Sequence, residues 1–489
     1  MSTPAGTTTG PSHRRIVIVG GGISGLVAAW VLSRTDQARD PASRGVTTSV
    51  TVLEPAARLG GKLQTDDFAG RRVDLAADAF LNRVPWARQL CTELGIEEQL
   101  VAPVQRDAWL WTRGVLRRFP SDTVLGVPSD LTTVAKSEIL TSSGLARAYL
   151  DKVLPRARRS PEEDRSIGEV VGRRLGREVV ERLVDPLVGG INGGNVDRLS
   201  LRSAAPQIAA LASGASLVRA AHERISRQDP EASAAPVFLA PKGGMHTLVE
   251  ALVAGLDERG VALRTGTAAH RLERRADGWS LTLIDGERVE TDAVVLATPA
   301  FVTARLVREV LPAAAAVLDD IEYASVSMVR LAYRARDVGR PLDGSGFVVP
   351  AVDGHLLTGC SWASSKWEAL RSTDQVIVRA SAGRIGDRRA DELDDDELAA
   401  ALHRELSGPM VIGGPPHEVS VARWDRSFPQ YEPGHRERIL AVERAARDVP
   451  GLAITGAAHH GIGIPACIHS ATEAATALLG RLATAPSSR

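Results

Sequence analysis

The residues with the clearest chemical use lie near the start of the chain, where Gly20, Gly22 and Gly25 fall in the spacing G-x-G-x-x-G. Glycine at the first position permits a tight turn, at the second lets backbone approach a diphosphate, and at the third lets helix and strand pack closely. Gly21, Ile23 and Ser24 fill the motif, and Leu26 follows it. The N–H groups and positive end of the helix that opens here can bind phosphate oxygens. A carboxylate stands further on at Glu54, with Pro55 after it and then Arg58-Leu59-Gly60-Gly61-Lys62. Glu54 can accept hydrogen bonds from both ribose hydroxyls, and Arg58 or Lys62 can neutralise phosphate charge. The glycine motif alone also describes a turn with no ligand. Joined to the carboxylate and the basic glycine-rich stretch, it specifies a dinucleotide site.

Such residues need particular elements to hold them. Residues 15–19 are a short apolar, β-branched run ending at Gly20, and 26–32 read as the helix that follows. Residues 49–53 form a second strand ending at Glu54. The interval from the glycines exceeds the usual ~20 residues, and a loop insertion over the polar stretch 36–45 accounts for the excess. Residues 292–297 and 452–455 repeat the strand pattern, ending at Thr298-Pro299 and Gly456. Unalternating apolar runs suit parallel strands buried on both faces. One sheet is therefore expected from distant segments, fed by a hairpin-rich meander over 259–298 with turns at Asp277-Gly278 and Asp285-Gly286. Residues 107–239 show helical periodicity (Ile167, Val170, Val171, Leu175) and many arginines. Residues 301–435 mix strands with a helix over 394–406. The expectation is an α/β chain. Its Rossmann-type domain takes in 14–75, 240–300 and 436–489, with an inserted α+β domain (76–106 and 301–435), an inserted helical domain (107–239) and a disordered tail over 1–13.

Bulk properties narrow the possible partners. Lys+Arg and Asp+Glu both number 59, so no net charge draws the chain toward nucleic acid, although Arg156, Arg158 and Arg159 make a local basic patch. Cys91, Cys360 and Cys467 have no paired spacing and read as buried small hydrophobes in a reducing compartment, with neither disulfide nor zinc. The adjacent His459 and His460 have no third ligand nearby in sequence and read as loop or solvent-facing residues, so no metal is expected. Arg14-Arg15 before an apolar run looks like a twin-arginine signal, but that run leads straight into the glycine motif and export is not expected. No stretch reaches the ~18–20 apolar residues that span a bilayer. The nearest, 204–221, is broken by Gln207, Ser213, Ser216 and Arg219 and is a surface helix at most.

Strand, glycine motif, helix, Glu54 and the 58–62 stretch together resemble the FAD fingerprint of the amine oxidase-like flavoproteins. Over residues 14–480 the sequence resembles more narrowly the oxygen-dependent protoporphyrinogen/coproporphyrinogen oxidases of haem biosynthesis, the Gram-positive type in particular. The likeness is carried by 181–190 through 198–201, by 242–250, by Ser361-Trp362 to Lys366-Trp367, by Arg423-Trp424 through Tyr431 to His435, and by Gly456-Ala457 with 461–465. It implies an FAD contacted at the 21–26 turn, at Glu54, Pro55 and Lys62, and at Ala76, Ala77, Asp78 and Ala79. The Ala269 backbone, Trp424, Ala457, Ile462, Gly463 and Ile464 complete the implied set. Trp424 reads equally as a core aromatic. The helix that starts near Pro465 can stabilise the negative charge a flavin gains on reduction. Three segments depart from the family pattern: Ala76–Ala79 replaces G-P-[DR]-S, Asn192-Gly193-Gly194-Asn195 replaces Y-A-G-[DN], and Val84 stands where a lysine is frequent.

The resemblance implies a six-electron oxidation of coproporphyrinogen III to coproporphyrin III, with O2 as acceptor and H2O2 as by-product. A protoporphyrinogen IX oxidase, another flavin amine oxidase or desaturase, and a flavin-binding protein without turnover are the alternatives. No paired carboxylates or Ser/His/Asp set stands out, and flavin-driven chemistry requires none, so no catalytic side chain is nominated. The propionates of such a substrate need cations. Arg83 and Lys366 are the candidates, each reading equally as a solvated surface charge. A cytoplasmic location, a transient contact with ferrochelatase and weak contact with a membrane surface complete the expectations.

Overall fold

Five short apolar segments, far apart in the chain, lie side by side in the computed structural model, which describes residues 12–36, 46–155, 163–227 and 235–484. They are β1 (Ser12–Val19), β2 (Val46–Leu53), β3 (Ala262–Arg264), β4 (Ala293–Leu296) and β5 (Leu452–Ile454). The order is β3-β2-β1-β4-β5, every neighbour parallel, with Ile16 in register with Val50 on one side and Ala293 on the other. Alternate residues divide the sheet between two cores. Ile16, Ile18, Val52 and Val295 face α1 (Ile23–Leu32) and the helix His246–Glu258. Val17, Val19, Leu53 and Leu296 face Trp279, Leu318 and Ile439 on the opposite side. Ile439 belongs to α2 (His435–Arg447), and α3 (Ile464–Thr484) packs along α1 on the first face. Each fully buried Leu, Ile or Val contributes roughly 1.5–3 kcal/mol, so both faces hold the strands.

The meander closes as a three-stranded antiparallel sheet (Ala269–Arg275, Gly278–Leu283, Arg288–Thr291). A seven-stranded sheet forms a separate layer. In spatial order its strands are Glu418–Pro429, Tyr323–Arg334, Gln375–Ala382, Leu357–Ser361, Gly346–Val348, Ala108–Thr112 and Val115–Arg118. The helix Asp395–Met410 covers it, started by a capping box between Asp394 and Glu397.

Several expectations need correction. The helical region does not begin at 107, because residues 108–118 are two strands of the seven-stranded sheet; Trp111 turns inward and packs edge-on against Phe347. Helices Ala300–Val307 and Pro312–Asp319 pack on the five-stranded sheet, and not on the seven-stranded one as a boundary at 301 implies. The tail expected over 1–13 gives way to strand at Ser12, which pairs with Val46. Residues 1–11, the 37–45 insertion and Arg156, Arg158 and Arg159 lie outside the described residues. Helices do dominate 131–226, around Ile167, Val171, Leu175 and Leu183. The stretch Val180–Gly189 is wound as a π-helix containing Pro186, whose missing N–H removes a donor from the ladder. The 204–221 stretch is split among helices Leu201–Ala204, Pro206–Ala212 and Leu217–Ser226. Among the described residues no helix is long and apolar enough to cross a membrane.

Candidate functional site

The glycine turn is built by close approach. Gly20 has φ +107°, and a Cβ there would lie 2.7 Å from the Ala297 carbonyl oxygen, where β1 passes β4. A Cβ on Gly25 would sit 1.8 Å from the Gly20 carbonyl oxygen, so only glycine lets α1 start against the strand it has just left. At Gly22 an added Cβ would meet nothing within 4 Å. Gly22 is also the N-cap of α1, and no side chain caps this helix end. Glu54 ends β2 beside the turn: Oε2 accepts the Gly21 N–H at 2.7 Å and Oε1 the Ala56 N–H at 2.9 Å. The chain after β3 runs alongside, with Thr267 N–H donating to the Glu54 carbonyl at 2.8 Å, and delivers buried Ala269 next to it. Gly60 N–H donates to the Gly21 carbonyl at 2.8 Å, which draws the 58–62 stretch onto the turn.

The other end of the chain arrives at the same place. The loop after β5 leads through Ala457, Ile462 and Gly463 into α3, which starts at Ile464. The Cys467 thiol in the first turn of α3 donates to the Gly461 and Ile462 carbonyls at 3.6 and 3.8 Å; burial raises its pKa to about 11, with Ser24 of α1 and Lys62 acting the other way. Lys62 stands beside Cys467. Desolvation lowers its pKa, while the thiol pulls the other way, and its side chain keeps accessible surface although protein surrounds it. Arg58, by contrast, is turned outward and paired with Asp66 at 2.9 Å.

A second polar group gathers around Asp78. Its carboxylate accepts from Lys366 Nζ at 2.8 and 2.9 Å, from Arg379 Nη1 at 2.8 Å and from the Trp367 indole at 3.2 Å. Arg379 also donates to the Ala76 carbonyl. Burial alone would raise the Asp78 pKa, but Lys366 and Arg379 outweigh it and hold it well below the usual carboxylate range. Asp74 nearby is pushed the opposite way, with burial the largest cause. Asp74, Asp78, Trp367 and Arg379, with Gly243 and Gly244, line a cavity of about 430 Å³, a size suited to a small molecule.

A family model described as flavin containing amine oxidoreductase matches residues 23–479. The chain belongs to that family. Among its relatives, a coproporphyrinogen III oxidase of Mycobacterium leprae (strain TN) is 35% identical, with 96% of this chain and 100% of the relative covered. A coproporphyrinogen III oxidase of Bacillus subtilis (strain 168) is 32% identical, covering 93% and 96%. A solved structure from Exiguobacterium sp. 255-15, provisionally described as a protoporphyrinogen oxidase, superimposes with a TM-score of 0.82 at 29% identity, covering 95% and 98%.

The flavin that this family carries fits the residues present. Gly22 and the uncapped end of α1 leave room and donors for a diphosphate, and Lys62 and Glu54 are of the types that would meet its charge and the ribose hydroxyls. The indole N–H of Trp424 is buried without a hydrogen-bond partner among the described residues, and is a donor that a ligand could use. Further sequence expectations change. Lys366 is committed to Asp78 and is not a spare cation, and Asp78 is itself engaged by three side chains. Arg83 is exposed, with no hydrogen bond or ion pair among the described residues. His459 and His460 lie in the loop as expected, with His460 exposed, but His459 is buried; Glu443 of α2 accepts from its Nδ1 at 3.2 Å and from His460 Nε2 at 2.7 Å. Burial works against ionisation of Glu443, yet these two bonds lower its pKa to about 2. Among the described residues no group of three or more His, Cys, Asp or Glu is placed to hold a metal ion. Arg379 escaped the sequence reading, and Trp367, Tyr431 and His435 entered it only within family motifs and without a role, since their partners lie far away in the chain.

Proposed function

We propose that the protein is an FAD-dependent oxidase that converts coproporphyrinogen III to coproporphyrin III. Six electrons leave the substrate and three molecules of O2 become three of H2O2. The observation that carries this reading is the near full-length match to coproporphyrinogen III oxidases of two distant bacteria, on a chain whose glycine turn, Glu54 and Lys62 fit a flavin.

When bound, the flavin supplies the two-electron chemistry and the reaction with O2. The chain's own residues bind and orient. Gly20, Gly21, Gly22, Ile23, Ser24, Gly25 and Leu26 give backbone to the diphosphate, Glu54 and Pro55 shape the ribose end, and Lys62 and Gly61 lie against the phosphates. The first N–H groups of α3 face developing negative charge. Arg83, exposed and unpaired, is assigned to a substrate propionate. Lys366 acts through Asp78, fixing the 76–79 segment. In this division of labour residues 14–75, 240–319 and 436–489 hold the cofactor, and 76–106 with 320–435 the substrate, with 108–118 joining the latter. The reaction is placed in the cytoplasm, with transient transfer of product to ferrochelatase and weak contact with a membrane surface.

The test is turnover of both porphyrinogens by purified protein, read by porphyrin fluorescence and peroxide yield. Coproporphyrinogen III should be oxidised faster, with one peroxide per electron pair. An equal or reversed preference would move the substrate to protoporphyrinogen IX. A protein that is colourless and cannot be reconstituted with FAD would sink the flavin reading itself.

A further inference from the structure

Within itself the loop between β5 and α3 makes a turn bond, from the His459 N–H to the Gly456 carbonyl at 3.1 Å. Gly456 and Gly461 have φ +134° and +139°, a region open to glycine, and glycine is the residue with most conformational freedom to lose. The side chains that pin the loop come from outside it. The Tyr431 hydroxyl donates to the Ala457 carbonyl and accepts the Gly461 N–H at 3.1 Å, so one phenol ties both ends of the span 457–461. His435 Nε2 donates to the Ala458 carbonyl at 2.9 Å. Glu443 holds His459 and His460. The rings of Tyr431 and His435 stack with centroids 4.1 Å apart, and both residues are buried. Burial keeps the phenol pKa well above its ordinary value, so the hydroxyl stays a donor.

The same segment is anchored on its other side. Ser200 N–H donates to the Tyr431 carbonyl at 2.6 Å, Gln430 Nε2 to the Asn192 carbonyl at 3.1 Å, and Gly434 N–H to Asp164 Oδ2 at 2.9 Å. Tyr431 therefore cannot shift without breaking contacts to the helical region.

We infer that Tyr431 is a positioning residue that sets the reduction potential of the bound flavin through this loop. The inference rests on the assignment of Ala457 and Ile462 to Ile464 to the cofactor. A flavin gains negative charge on reduction, and the N-terminus of α3, which the loop places, carries the partial positive charge that favours it. In a low-dielectric site that interaction depends steeply on distance. Loop position then controls how much more tightly reduced flavin is held than oxidised flavin.

Tyr431→Phe keeps the ring and its stack and deletes both hydroxyl bonds. FAD affinity is measured by quenching of flavin fluorescence, and the midpoint potential by dye-coupled redox titration. Oxidised FAD should still bind, and the reduced form should lose about tenfold in relative affinity, which is a fall of about 30 mV for a two-electron couple. Glu443→Gln loosens the same loop from its other anchor and should shift the potential in the same direction by less; it decides alone if Tyr431→Phe does not fold. FAD-loaded variants with the wild-type potential would overturn the role of Tyr431. Wild-type protein that takes up no FAD would overturn the cofactor assignment instead.

Discussion

Asp78→Asn is the substitution with the largest effect expected away from the glycine turn. The wild-type carboxylate is shared by Lys366 and Arg379, with exposures of 16% for Asp78, 16% for Lys366 and 4% for Arg379. Removing one partner of a buried pair costs about 3–5 kcal/mol, since the remaining charge is stranded. Lys366 has enough exposure to swing toward water, but Arg379 does not, which puts the loss near ~3 kcal/mol. The pH dependence follows from the depressed Asp78 pKa. A carboxylate held below its unfolded value of about 3.9 contributes stability that is full above that value and is lost as pH falls toward the folded one. The gap between wild type and variant should thus be full at pH 7 and narrow only below about pH 4. Urea unfolding of both proteins at several pH values measures it. Combining Asp78→Asn with Lys366→Met should cost less than the sum of the two alone, by about 1–2 kcal/mol, because the stranded lysine is gone. Additive losses, or an Asp78→Asn midpoint equal to wild type at pH 7, would refute the paired arrangement.

Glu54→Ala should weaken FAD binding by roughly 1.5–3 kcal/mol, about 10- to 150-fold in Kd, read by flavin titration of the apoprotein. Unchanged affinity would remove Glu54 from the ribose site. Arg83→Ala should raise the KM for coproporphyrinogen III, a loss of about 1.5–3 kcal/mol if the contact is desolvated, while flavin content stays intact; wild-type kinetics would return Arg83 to the solvent. His435 is buried, and desolvation lowers its pKa to about 4, so the unfolded chain binds the extra proton more readily between that value and about 6.5. Wild-type stability should fall by about 3 kcal/mol across this window as acid is added. His435→Gln should flatten that slope in denaturation curves, and an unaltered slope would assign it to other groups.

The cofactor end of the site was readable because its signals are local. Gly20 to Gly25, the strand ending at Glu54 and the 58–62 stretch are short-range patterns, and strand and helix periodicity places them without knowledge of the rest. Strands Ala108–Thr112 and Val115–Arg118 form a hairpin across Arg113-Gly114, a local signal that was overlooked. The pairing of Ala108–Thr112 with Gly346–Val348, more than two hundred residues later, is the part that no short-range pattern conveys. Side-chain pairing is hidden in the same way. Lys366 looks like a spare cation until the fold brings Asp78 to it, and His459 looks exposed until α2 brings Glu443. What spacing conveys is the type of element and the chemistry of a turn. It does not convey which distant charge has already been neutralised.

The dispersal of the five-stranded sheet along the chain has a consequence for how the protein is made. β1 leaves the ribosome long before β5, which lies two places away in the sheet and ends at Ile454. The seven-stranded sheet has all its strands between residues 108 and 429 and can close earlier. At roughly 5–20 residues per second, Ile16 and Ile18 wait tens of seconds for their last neighbours, and pairing between such distant segments is slow once they arrive. Flavin uptake then waits for β5 and α3, and cofactor supply acts on a chain already translated through that segment, where binding energy adds to the stability of the sheet that completes last.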